Sequence, residues 1–226
     1  MAAIPSRNFH SAAVWREPLT EAARNGLVRI MEQAVPRTQP LSVPNLLTYA
    51  RLAAVPLIAM VLFFLQGETR NWLALSIFIV ASITDFLDGY VARAWGQQSP
   101  LGRMLDPIAD KLLVGATLLM LVSDQTLSGW SLWAALIILS REILVSGLRE
   151  FLAELNVMVA VSRLAKWKTG VQMVALAFLL AGDAGDAMMG YATSVGLVML
   201  WIAAILTIYT GFDYVRAGLK YVIDEQ

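Results

Sequence analysis

The chain contains no cysteine, which excludes disulfide bonds and thiol chemistry and leaves its redox compartment unread. Histidine is almost missing as well. The single one, His10, lies in a polar N-terminal stretch and reads as a bystander, which argues against histidine catalysis and a histidine-rich zinc site. Charge is scarce, at 15% of 226 residues, and the 17 basic and 17 acidic groups cancel. A chain with no basic excess makes a poor partner for nucleic acid. Residues 1–44 hold no continuous apolar run, so no signal peptide is expected there. No internal repeat or low-complexity linker stands out.

What is abundant is apolar residues, at 58% of the chain, against about half in an ordinary soluble protein. They gather into six runs, roughly Asn45–Gln66, Trp72–Ala94, Met104–Ser123, Gly129–Ala153, Ser162–Gly182 and Gly190–Ala217. Each is close to the ~20 residues that cross a hydrocarbon core. Upstream, Leu19, Ala23, Leu27, Ile30 and Ala34 recur at helical spacing, with Glu21, Arg24, Asn25 and Glu32 opposite them. That pattern predicts an amphipathic helix, either on the membrane surface or packed on protein. The expected fold is all-α: a polytopic membrane protein with six transmembrane helices and an N-terminal juxtamembrane helix. The expected division is 1–44 as a cytoplasmic segment, 45–217 as the six-helix domain and 218–226 as a cytoplasmic tail.

Basic residues set the orientation. Arg7, Arg16, Arg24, Arg29 and Arg37 precede the first run, and Arg93, Arg103, Arg163, Lys166, Arg216 and Lys220 surround the second turn, the fourth turn and the C-terminus. Arg70 alone falls in the other three turns. The positive-inside rule then predicts a multi-pass protein of the inner (cytoplasmic) membrane with both termini cytoplasmic.

Charged residues inside such runs are expensive and usually face a working cavity. Here they are Asp85, Asp88, Asp106, Asp110, Lys111, Arg141, Glu142 and Arg149, all in the cytoplasmic halves of their runs. Asp85 and Asp88 are i and i+3, and Asp106 and Asp110 are i and i+4, so each pair shares a helix face. A tight turn between the two helices is expected to bring the pairs together. Four carboxylates that close stay ionised only beside cations, and oxygen donors select hard divalent ions, magnesium or manganese. One pair alone could equally be an ion path. Two pairs with Gly89, Ala92, Arg93 and Gly102 at fixed positions favour a two-metal phosphoryl-transfer site.

The stretch Asp85-x-x-Asp88-Gly89-x-x-Ala92-Arg93, then eight residues, Gly102, three residues, Asp106, three residues and Asp110, resembles the CDP-alcohol phosphotransferase signature at each of its eight fixed positions. The resemblance implies a six-helix membrane enzyme, a homodimer, with a cavity open to the cytosol. It implies Asp85, Asp88 and Asp106 as metal ligands, joined by Asp110, which also acts as general base. It puts the CDP moiety against Gly89, Ala92 and Arg93, with Gly102 shaping the pocket.

Pro44-Asn45 through Thr48 and Arg51 also looks like the first helix of the phosphatidylglycerophosphate synthase branch. Asn45, Thr48 and Arg51 form a polar stripe at i+3 steps, expected to touch cytidine or diphosphate, or else to cap the helix and snorkel. Ser140-Arg141-Glu142, Arg149-Glu150 and Lys166-x-Lys168-Thr169 resemble the same branch. Arg141 and Arg149, eight apart, suit an acceptor that carries its own phosphate. Lys166 and Lys168 are two apart, so one is expected on phosphate and the other at the interface, unless both serve topology alone. The resemblance therefore implies phosphatidyl transfer from CDP-diacylglycerol to glycerol-3-phosphate beside membrane lipid. Cardiolipin or phosphatidylinositol-phosphate synthesis is the alternative within the family, and a divalent-metal transporter the one outside it.

Overall fold

The computed structural model describes residues 43–95, 100–155, 157 and 163–224, and of residues 43, 44, 86, 88–95, 100, 103, 163, 217 and 219–224 the helical backbone alone. The expected amphipathic helix over 19–34 lies outside the described residues. By contacts the chain divides into Met1–Thr38 and Gln39–Gln226, and everything below concerns the second unit.

Among the described residues there are six helices and no strand: α1 Val43–Phe64, α2 Glu68–Trp95, α3 Pro100–Ser123, α4 Ser131–Glu154, α5 Arg163–Met189 and α6 Ala192–Asp224. Four of them, α1, α4, α5 and α6, are long and apolar enough to cross a membrane. Among the described residues, α2 and α3, which carry the acidic pairs, do not add to those four. In α3 the reason is local, since Asp106, Asp110 and Lys111 crowd its N-terminal half.

The bundle is apolar outside as well as inside. Leu46, Leu57, Met60, Phe63 and Phe64 of α1 are exposed, as are Ile202, Ile205, Ile208, Tyr209 and Phe212 of α6. Asn45, Thr48 and Arg51 of α1 are buried instead. Polar groups facing inward beneath an apolar coat are what a hydrocarbon solvent demands. Inside, Phe78, Leu113, Leu121, Ile138, Leu176, Leu179 and Leu200 form one core, and Ala134, Ala175, Ala203 and Ala204 let helices approach within it. The most extensive contact is α5 on α6, followed by α1 on α2 and α3, α4 on α6, and α2 on α5.

Two boundaries differ from those read in the sequence. The expected turn over 182–190 is helix, with a kink at Gly182 (φ 46°, ψ −135°) and the turn delayed to Gly190 (φ 79°). A residue with a Cβ reaches such a backbone only under strain, and the kink frees the Ala181 carbonyl, which accepts a hydrogen bond of 3.0 Å from the buried Asn71 of α2. The Asp186 carboxylate then accepts from the Thr193 N–H at 3.0 Å, which satisfies an N–H in the first turn of α6. At the other end, α6 passes residue 217 without a break and continues to Asp224.

Arg70 after the first turn pairs with Asp124 after α3 at 3.4 Å, so the α1–α2 and α3–α4 turns share one end of the bundle. The aspartates, Arg141, Arg149 and the two lysines of α5 gather toward the opposite end.

Candidate active site

The site is built on the buried stripe of α1. Arg51, whose side chain is 0% exposed, pairs through Nη1 with Asp85 Oδ1 at 2.6 Å, while Asp85 itself is 47% exposed. One turn earlier, Thr48 Oγ1 donates to Asp106 Oδ1 at 2.6 Å. The sequence set α2 directly beside α3. In the structure α1 packs on both, and its side chains join one aspartate from each. The cause is solvation: a guanidinium and a hydroxyl facing lipid would be costly, whereas the carboxylates give the first an ion pair and the second an acceptor. Thr48 and Arg51 thus each meet a carboxylate of the signature. Asn45 is buried on the same stripe.

Asp85 lies within Coulombic reach of both Asp106 and Asp110. Asp88, Gly89, Ala92 and Arg93 lie on α2, with side chains outside the described residues. Gly102 is buried near the start of α3. Among the described residues no three carboxylate or histidine groups close into a metal cluster by themselves, and Asp88 is the fourth carboxylate. All donors are carboxylate oxygens and repel one another, which fits hard divalent cations.

Beside Asp110 opens a cavity of about 340 Å³. Its wall includes Asp110, Lys111, Arg141, Glu142, Arg149, Lys166 and Lys168. All four cations expected to bind an acceptor phosphate therefore share one cavity with the expected base. Both Lys166 and Lys168 line it, Lys166 exposed and Lys168 buried.

Helix α6 orients the two arginines. Arg141 Nη2 donates to Thr210 Oγ1 at 3.2 Å, and that hydroxyl donates onward to the Leu206 carbonyl at 2.8 Å. Opposite the stem of Arg141 stands Gly211, where a Cβ would meet Arg141 Cγ at 3.0 Å. The Arg149 guanidinium lies over the Tyr214 ring, 5.7 Å from its centroid. Sequence reasoning did not assign Thr210 or Tyr214 to the site. Their i, i+4 spacing on an apolar helix was the available signal.

A buried helical bundle carrying paired carboxylates beside a cation-lined cavity defines a class, the polytopic membrane enzyme of phosphoryl transfer. The chain belongs to the CDP-alcohol phosphatidyltransferase family, whose model matches residues 41–209. Members of this family generally use divalent metal ions. Similar proteins include one from Cereibacter sphaeroides, 41% identical over 82% of this chain and 99% of its own length. Another, from Rickettsia bellii, is 48% identical over 80% of this chain and 97% of its own. A third, from Escherichia coli K12, is 39% identical over 81% and 98%. Each is named CDP-diacylglycerol--glycerol-3-phosphate 3-phosphatidyltransferase.

Proposed function

We propose that the protein transfers a phosphatidyl group from CDP-diacylglycerol to glycerol-3-phosphate, giving phosphatidylglycerophosphate and CMP in phospholipid biosynthesis. The observation that carries this reading is the single cavity in which Asp110 shares a wall with Arg141, Arg149, Lys166 and Lys168. An acceptor bearing its own phosphate needs cations that the donor's diphosphate does not occupy. The names of the relatives from Cereibacter, Rickettsia and Escherichia support the same acceptor.

In the proposed reaction Arg141 and Arg149 grip the acceptor phosphate and aim its primary hydroxyl at the donor. Asp110 takes the hydroxyl proton as the oxygen attacks the lipid-side phosphorus. The new P–O bond forms as the bond to CMP breaks, and CMP leaves with the electron pair. Asp85, Asp88, Asp106 and Asp110 would hold divalent ions, two per site and magnesium or manganese, which neutralise charge growing on the diphosphate. Gly89, Ala92, Arg93, Gly102 and Asn45 are assigned to the CDP moiety. Thr48 and Arg51 serve it through the carboxylates they hold. The acyl chains stay in lipid, and the polar reactants enter from the cytosol. The same reading makes the protein a homodimer of the inner membrane with both termini cytoplasmic.

The test is to incubate the purified full-length protein with labelled CDP-diacylglycerol, magnesium or manganese, and a panel of alcohols. The panel contains glycerol-3-phosphate, phosphatidylglycerol and inositol phosphate. CMP release should require glycerol-3-phosphate and stop on chelation. Release without any acceptor, or faster release with another alcohol, would overturn the assignment.

A further inference from the structure

One carboxylate in the acceptor cavity belongs neither to the signature nor to the cations assigned to phosphate. Glu142 of α4 places Oε1 against Lys168 Nζ of α5, in a hydrogen-bonded ion pair, and 3.6 Å from Nη1 of its neighbour Arg141. Lys168 is 3% exposed, the most deeply buried cation on the cavity wall. Arg141 and Lys168 lie close enough to repel each other, and Glu142 stands against both. The wall carries five cations, Lys111, Arg141, Arg149, Lys166 and Lys168, against two carboxylates. Such an array does not assemble unaided, because a buried ammonium facing like charges is costly until a counter-ion fixes it.

We propose that Glu142 is a positioning residue for the acceptor: its carboxylate holds Lys168 of one helix and Arg141 of another in the same wall, so that phosphate meets an array already assembled. This rests on the reading of the cavity as the acceptor site. The chemistry is that of preorganisation, in which rotamers fixed before binding reduce the ordering cost of binding. Arg141 is held twice, by Glu142 and by Thr210, whereas Lys168 depends on Glu142. Lys168 is therefore the group through which Glu142 acts.

The experiment compares Glu142→Gln, Glu142→Asp, Lys168→Met and the double variant Glu142→Gln/Lys168→Met in the purified full-length enzyme with metal present. Glu142→Gln should raise the KM for glycerol-3-phosphate about tenfold, the worth of one charge-assisted hydrogen bond. The KM for CDP-diacylglycerol should stay within about twofold. Glu142→Asp keeps the charge and should recover part of the loss. The double variant should be no worse than Lys168→Met, because both changes remove one interaction. Multiplying penalties in the double variant would overturn the proposal. So would a lowered melting temperature with both KM values unchanged, the mark of a purely structural ion pair. If Glu142→Gln does not fold, Glu142→Asp and Lys168→Met decide by the same KM comparison. Arg149→Ala, which changes a cavity cation outside the Glu142 pair, separates the two levels. If it raises the glycerol-3-phosphate KM and the Glu142 variants do not, positioning by Glu142 fails alone. If none of them does, the acceptor reading fails.

Discussion

Arg149→Ala isolates the acceptor cations most cleanly. Arg149 is an exposed residue that lines the cavity, its guanidinium over Tyr214, so truncation removes little packing. Losing an exposed cation–π contact costs about 0.5–1 kcal/mol of stability. Losing a hydrogen bond to a phosphate costs about 1.5–3 kcal/mol of binding, and an open cavity favours the low end. At about 1.4 kcal/mol per decade, the KM for glycerol-3-phosphate should rise about tenfold. Arg141→Ala should behave differently, because Arg141 is mostly buried and held by Thr210 and Glu142. It should raise the same KM toward a hundredfold, the upper end of that range, and also lower the melting temperature. The assay is CMP release against glycerol-3-phosphate at saturating CDP-diacylglycerol, with thermal unfolding measured on the same detergent preparation. If Arg149→Ala leaves the acceptor KM unchanged while stability falls, Arg149 is a brace for α6 and the reasoning is refuted.

Asp110→Asn keeps the shape of the cavity wall but cannot accept a proton, so CMP release should fall about 10²- to 10⁴-fold with CDP-diacylglycerol binding retained. Parallel loss of lipid binding and turnover would refute Asp110 as the base and leave it a metal ligand only. Gly182→Ala should lower the apparent melting temperature, since the kink backbone would be strained by about 1–3 kcal/mol and the new Cβ would fall 2.4 Å from Asn71 Nδ2. Its acceptor KM should not move, because Gly182 lies at the end of the bundle away from the cavity. Unchanged stability would mean that the bend relaxes freely.

The helices, their lipid-facing character and the acidic pairs were legible in the sequence because each is a local pattern. Twenty apolar residues must become helix in hydrocarbon, whatever their neighbours do, since backbone polar groups have no other partner there. Asp85 with Asp88, and Asp106 with Asp110, announce a shared face by spacing alone. The intramembrane arginines and lysines announce a polar interior by their cost. What spacing does not carry is which helices touch. That α1 packs on both α2 and α3, with Arg51 on Asp85 and Thr48 on Asp106, depends on side chains separated by 34 and 58 positions finding each other. The placing of Lys168 beside Glu142, and of Arg141 against Thr210 and Gly211, likewise needed α4, α5 and α6 assembled. The kink at Gly182 hid for a similar reason. A glycine in an apolar helix can end it, pack it or bend it, and here the distant Asn71, by bonding the freed carbonyl of Ala181, decided for the bend.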